Sequence, residues 1–379
     1  MTTVVVGAGP MGASAARHAA LLARADAGDV VVIGPDEAGL PGAWHDEARL
    51  TRIVAHDDVW ATLAQQSIAR YPQIAAEGGA EFHRTQGVLY VHERADWFRR
   101  QLAVADRCGA AFEVPTADRF PYLRLPEGAG LILEGGGAGT VNPRALVTNQ
   151  LRAAQAHGAR WVRDHVVRIE QLDGAARVHT AGGDVVEAQR VLVAVGAHVN
   201  AFELFPEPLP VVATGITALF FEVGDVGDAC DALAHMPGIL WYEAHHDHFL
   251  YTVPPTRYPD GRTWFKIGGY RESGPLHTAA EIDEWYRTDG GRMEADMLRA
   301  WVAEHIPVLA GRDAHAVGCV VTDVASGFPM IREVSPSVVV ATGCAGAAAK
   351  SCDEIGRIAA VLTVRGRWDS SLDQSLFQG

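Results

Sequence analysis

The sequence predicts an α/β fold, a doubly wound parallel sheet interrupted by an inserted antiparallel unit. Three observations predict it. The chain opens on an apolar run, Thr3 to Val6, that enters Gly7-Ala-Gly9-Pro-Met-Gly12 and passes at once into a helical stretch, Ala13 to Ala25. Two further strand signals, Arg190 to Val195 and Val338 to Thr342, each run into a glycine turn, at Gly196 and at Gly343. Between them, from about Thr214 to Gly274, strands of alternating character replace the strand–helix rhythm, as expected of an antiparallel sheet.

The opening turn has the spacing G-x-G-x-x-G between a strand and a helix, the context that gives such a motif meaning. Gly7 allows a tight turn, Gly9 lets the backbone approach a pyrophosphate, and Gly12 lets helix and strand pack closely. The helix N-terminus then meets phosphate charge with free N–H groups and its dipole. A dinucleotide site follows, with a purely structural glycine turn as the plainer alternative. Val30 to Ile33 reads as the second parallel strand. An acid is expected at its end to bind a ribose hydroxyl, but that slot holds Ile33 or Gly34, and the nearest acids are Asp36 and Glu37.

Further along, Asp58 to Tyr71 and Asp96 to Cys108 are expected as helices, with Gln86 to His92 a strand between them. Leu131 to Glu134 is a strand with glycine-rich flanks. Asn142 is placed to cap a helix with Pro143 at its first position, running to Gly158. Trp161 to Glu170 and Ala176 to Thr180 read as strands. Within the antiparallel unit the strands are Ile216 to Val223, His248 to Val253 and Thr263 to Gly269. Glu281 to His305 reads as one helix, Val317 to Val321 as a strand, and Lys350 to Val364 as a long helix.

Composition excludes several classes of partner. The 379 residues carry 32 basic and 46 acidic side chains, a net charge of −14, which disfavours nucleic acid and anionic membrane surfaces. No stretch approaches about 18 uninterrupted apolar residues, so no membrane span is expected. The strand expected from Thr3 leaves no room for a leader peptide. Cys108, Cys230, Cys319, Cys344 and Cys352 contain no C-x-x-C pair, as expected of reduced thiols in the cytoplasm. His245, His246 and His248 lack the companions of a metal site and read as a solvated loop.

Four segments together carry a resemblance. They are the opening turn, Arg190-Val-Leu-Val-Ala-Val-Gly196-Ala-His-Val-Asn200, Ala316-Val-Gly-Cys319-Val-Val-Thr322, and Val338-Val-Val-Ala-Thr-Gly343 followed by Lys350. In this order they resemble the FAD-dependent amine and amino-acid oxidases of the D-amino-acid oxidase superfamily, in particular its monomeric sarcosine oxidase and N-methyltryptophan oxidase branch. The resemblance implies a discontinuous, Rossmann-like FAD-binding domain over 1–85, 140–212 and 315–379. An antiparallel substrate domain over 86–139 and 213–314 would be inserted in it.

The resemblance also implies roles. FAD would be held by Gly7, Gly9, Gly12, Asp36, Arg49, Gly196, Cys319, Gly343, Gly346 and Lys350, with Cys319 forming a thioether to the flavin ring. The plainer alternative for Cys319 is a buried, inert thiol. Arg49-Leu-Thr-Arg52 matches the branch's Arg-x-x-Arg, whose second arginine grips the substrate carboxylate with the help of Lys350; a planar fork and a point charge suit that task. Lys266, in Trp264-Phe265-Lys266-Ile267-Gly268, would lie against the flavin and favour electron transfer to oxygen electrostatically, or else snorkel from an edge strand. Tyr251 would line the substrate pocket.

The expected reaction is oxidation of a small amino or imino acid, a secondary amine by preference, to an imine by hydride transfer to FAD. Oxygen would reoxidise the cofactor and give hydrogen peroxide; the alternative acceptor is a quinone or carrier protein. A monomer or small homo-oligomer is expected. Small residues from Gly343 to Ala349, where relatives carry bulky or polar ones, imply a reshaped pocket.

Overall fold

In the computed structural model, which describes residues 1–36, 42–224, 227–246 and 249–379, the chain turns sharply at Gly7. Its φ of 106° is one that side chains rarely adopt, and a Cβ there would lie 2.3 Å from the Ala194 carbonyl oxygen. At Gly12 a Cβ would lie 2.0 Å from the oxygen of Gly7. Strand, turn and helix therefore close on each other through two missing side chains.

Around this turn the described strands form a six-stranded sheet in the order Met330–Ser335, Val338–Thr342, Arg190–Val193, Thr2–Val6, Asp29–Ile33 and Arg160–Val162. All neighbours run parallel except Met330–Ser335, which folds back antiparallel on Val338–Thr342. The sheet is drawn from the beginning, middle and end of the chain, as expected. Its four inner strands are rich in valine because both faces are covered. Val5, Val32 and Leu192 pack under the helices Pro10–Ala25, Pro143–Ala156 and Ala348–Arg365. Val4, Val6, Val31 and Val193 meet a three-stranded sheet made of Val166–Leu172, Ala175–Thr180 and Val185–Ala188.

The inserted unit is a mostly antiparallel sheet. Its central pairing joins Val211–Glu222 to Thr263–Gly268 on one side and to Ala314–Val324 on the other. Phe249–Arg257, Gly238–Tyr242, Val88–His92 and Gly130–Glu134 continue it. The helix Arg292–His305 covers its apolar face, packing Leu298, Trp301 and Val302 against Leu219, Phe221 and Phe265. Among the described residues no helix is long and apolar enough to cross a membrane.

Several expected elements divide. Trp161 to Glu170 is not one strand: Arg160–Val162 joins the parallel sheet and Val166–Leu172 the three-stranded one. Asp164 makes the break, accepting hydrogen bonds from the backbone of His165 (2.7 Å) and Gly182 (3.0 Å). Glu281 to His305 is two helices, Ala279–Trp285 and Arg292–His305, parted where Gly290 takes a φ of 70° and Gly291 N–H donates to Thr217 Oγ1 at 2.8 Å. The helix expected to Tyr71 stops at Ala69, and a second runs Tyr71–Gly78. The Asn142 cap is as expected, its side chain accepting from Ala145 N–H at 2.9 Å. His248, expected to open a strand, and Glu37 lie outside the described residues.

A buried charge cluster fastens the helices. Asp353, fully buried on the last helix, accepts from Arg70 Nε (2.5 Å), Gln150 Nε2 (2.9 Å) and His18 Nε2 (3.0 Å). Burial alone would raise its pKa, but His18 and Arg70 outweigh it and hold the carboxyl well below the usual range. Its contribution to stability is therefore complete above the ordinary carboxylate pKa and is lost only as acid approaches the depressed value. We expect Asp353→Asn to destabilise the fold by about 3–5 kcal/mol at neutral pH and to flatten the acid limb of the stability curve, as read by urea unfolding across pH.

Candidate active site

Between the two large sheets lies a cavity of 520 Å³. The parallel sheet contributes Gly7, Gly9, Asp36 and Gly196 to its walls, and the antiparallel sheet contributes Leu240, Phe249, Tyr251 and Cys319. The helix Pro10–Ala25 begins at this wall, at Gly9, with no side-chain cap among the described residues. Its first amides are left for an anionic ligand. A second helix start without a side-chain cap, at Ala348, also borders the cavity, in the run Gly346 to Lys350. A glycine cradle, open helix amides and long apolar walls fit FAD, with the pyrophosphate at the opening turn.

Arg49 and Arg52 both line the cavity from the short strand Arg49–Thr51 and its exit. Arg49 pairs with Asp46 and donates to Ala43 O at 2.8 Å. Arg52, 7% exposed, donates through Nη1 to Val54 O at 2.7 Å, and its guanidinium carbon lies 5.9 Å from the ring centres of both Tyr90 and Phe249. Lys350, 4% exposed, has its Nζ 3.5 Å from Ser351 Oγ and 5.5 Å from the Trp60 ring centre. Among the described residues neither cation has a carboxylate at ion-pairing distance. Burial, and then the charge of Arg52, push the Lys350 ammonium well below its ordinary pKa of 10.5, against the opposing pull of Glu134 and Asp57. Two buried cations with no ion-paired carboxylate among the described residues, facing one cavity, can hold a ligand carboxylate.

Lys266 is placed differently. It is buried but does not line the cavity; its Nζ donates to Asp46 Oδ2 and to Ala48 O, each at 2.5 Å. Asp46 also accepts from the Tyr258 hydroxyl at 2.5 Å. Burial and then Arg49 lower the Lys266 pKa, with Cys319 opposing; Arg49 and Cys319 line the cavity and the lysine does not. Gly12 and Gly343 also lie behind the wall, whereas Gly346 is part of it.

Cys319 lies on Ala314–Val324, inside the antiparallel sheet, with its carbonyl held by Trp285 Nε1 at 2.9 Å. The Thr322 hydroxyl lies 3.7 Å from the sulfur of Cys344, so the cavity wall carries a second thiol that the sequence reading left unassigned. Burial pushes the Tyr251 hydroxyl up to about 12 and keeps it neutral. His246 lies 3.8 Å from Glu243 and 5.4 Å from the Tyr270 ring.

Sequence reasoning missed Asp164, His165, Trp44, Trp60 and Tyr286 in the walls, and Glu134 and Asp46 behind them. Glu134 left a signal, an acid closing the apolar run Leu131-Ile-Leu. Trp44 left none, because its contact with the Gly9 turn depends on a loop path.

A family model described as "FAD dependent oxidoreductase" (DAO) matches residues 2–362. No curated protein sequence matches the chain. Among solved structures, NikD, described as an unusual amino acid oxidase essential for nikkomycin biosynthesis, superposes with a TM-score of 0.76 at 18% identity, over 99% of this chain and 96% of its own. Iminodiacetate oxidase from Chelativorans sp. BNC1 gives 0.74 at 21% identity, over 100% and 98%. L-Proline dehydrogenase from P. horikoshii gives 0.78 at 17%, over 99% and 95%. At these identities the structures show a shared fold.

The depressed Lys350 pKa has a direct consequence. The ammonium form binds anions, so affinity for a monocarboxylate probe such as benzoate should fall as pH rises, with a midpoint well below 10.5. Calorimetric titration across pH checks this, and Lys350→Met should remove the dependence.

Proposed function

The chain belongs to the family of FAD-dependent oxidoreductases, and from that premise we propose that it oxidises a small amino or imino acid, preferably a secondary amine, to an imine. The observation that carries this reading is the pair of buried cations, Arg52 and Lys350, that face the cavity with no ion-paired carboxylate among the described residues. They bind the substrate carboxylate, Arg52 as a fork and Lys350 as a point charge, and so fix the carbon that bears the amine. The apolar walls, including Leu240 and Phe249, exclude water from that carbon. Among the described residues the acids in the wall are Asp36 and Asp164, both carried on the nucleotide-binding side, so on the substrate side the amine meets no fixed anion among them and binds in its neutral form.

When bound, FAD would supply the redox chemistry, a two-electron oxidation of the substrate carbon with oxygen as the final acceptor and hydrogen peroxide as its product. The residues that would hold FAD are Gly7, Gly9, Asp36, Arg49, Gly196 and Gly346, with Cys319 as the covalent anchor; Gly12 and Gly343, expected to touch it, instead shape the turns from behind the wall. Tyr251 shapes the substrate side. The assigned domains are 1–85, 140–212 and 315–379 for FAD and 86–139 and 213–314 for substrate, with Ala314–Val324 hydrogen-bonded into the sheet of the second. Lys266 assists oxygen from behind the wall, its charge shared with Asp46.

Acid precipitation of the purified yellow protein tests the anchor: colour should stay with the pellet and be released in Cys319→Ala. Anaerobic mixing with N-methyl amino acids and other amino acids should bleach the flavin, and Arg52→Ala should abolish bleaching at substrate concentrations that saturate the parent. Lys266→Met should slow reoxidation by air at least tenfold more than it slows bleaching. Rapid bleaching followed by poor reoxidation of the parent protein would overturn oxygen as acceptor.

A further inference from the structure

Arg52 is held in place by an acid that touches neither the cavity nor the guanidinium. Glu134 closes the strand Gly130–Glu134 and is 1% exposed. Its Oε1 accepts from Ile53 N–H at 2.6 Å and its Oε2 from Val54 N–H at 3.1 Å. The Tyr90 oxygen lies 2.6 Å from Oε2 and 2.9 Å from Val54 O, so its single proton serves the carboxylate or the carbonyl. That same Val54 carbonyl receives Arg52 Nη1 at 2.7 Å. One carboxylate thus grips both amides of the turn whose carbonyl orients the substrate-binding arginine.

The charge count gives Glu134 a second effect. The cluster contains two buried cations, Arg52 and Lys350, and one fully buried acid, Glu134, whose carboxylate form is favoured by two amides and the Tyr90 hydroxyl against the upward push of burial. The part-exposed Asp57, which also pulls on Lys350, lies 3.0 Å from His56 Nε2. With Glu134 charged, the buried groups therefore leave a single positive charge for a ligand to neutralise. A monocarboxylate closes that balance; a dicarboxylate in the same place leaves a buried negative charge.

We propose that Glu134 is a positioning residue that fixes Arg52 through the 53–54 turn and sets the pocket's capacity at one carboxylate, restricting substrates to monocarboxylic amino or imino acids at this position. The proposal rests on the reading of Arg52 and Lys350 as the carboxylate site.

The two effects separate in two variants. Glu134→Asp keeps the charge but shortens the reach, so the grip on the turn is lost; Glu134→Gln keeps the shape and removes the charge. The probes are benzoate and isophthalate, which share a ring and differ by one carboxylate, titrated calorimetrically into the holoenzyme. In Glu134→Asp, benzoate should bind about tenfold more weakly, with the isophthalate-to-benzoate ratio of Kd values unchanged. In Glu134→Gln that ratio should move about fivefold or more towards isophthalate, a shift that loosened packing would not produce. An unchanged ratio in Glu134→Gln, or parental benzoate affinity in Glu134→Asp, overturns the assignment.

Where Glu134→Gln does not fold, Tyr90→Phe serves. It removes the hydroxyl that bridges Glu134 to Val54 O and should weaken benzoate without moving the ratio; unaltered affinity counts against the proposal. Lys350→Met separates the two levels. Loss of benzoate binding there, with the Glu134 variants unaltered, removes the role of Glu134 alone. Parental binding in Lys350→Met removes the carboxylate site on which it rests.

Discussion

Arg52 and Lys350 share one cavity, and an ammonium and a guanidinium taken out of water are costly until something answers their charge. The chain answers only part of it. Val54 O takes one guanidinium hydrogen, the faces of Tyr90, Phe249 and Trp60 lie near the two cations, and Glu134 supplies one negative charge from behind. Lys266 shows the other solution. Equally buried, it is closed off by Asp46 and Ala48 O and asks nothing of a ligand. The contrast separates a cation that serves the cavity directly from one that acts through its neighbours.

Bringing the open pair together is the work of the scaffold. Arg52 follows a short strand near the start of the chain, and Lys350 stands in the first turn of its last long helix. That helix carries Asp353 one turn further on, where Arg70, His18 and Gln150 fasten it to the opening helix and its neighbours. The charge cluster therefore does more than stabilise. It fixes the height of Lys350 relative to the glycine turn, and so where its ammonium meets the cavity.

What could be read in advance was local. The glycine turn, the Asn142 cap and the valine-rich strands declare themselves within a few residues, because φ requirements, capping and sheet burial are short-range. Arg52, Lys350 and Cys319 were legible through motif spacing, and the cavity gathers all three. The rest depends on partners far apart in the chain. Asp46 meets Lys266, and Glu134 meets the 53–54 turn, with nothing nearby to announce either. The division of two expected elements had a local cause that periodicity outweighed: Asp164 can bond backbone amides, and Gly290-Gly291 can turn, inside stretches whose apolar spacing looked continuous.

The position of the first strand bears on how the chain is made. Thr2–Val6 lies between Asp29–Ile33, which follows it closely, and Arg190–Val193, which comes much later. A polypeptide leaving the ribosome amino-terminus first must carry one flank of this valine ribbon unpaired until Arg190–Val193 has followed it out. The covering helix Ala348–Arg365 arrives later still. Such a nascent chain exposes a sticky edge for most of its birth. Recombinant yield should thus be governed by chaperone supply and translation speed more than by the stability of the finished enzyme.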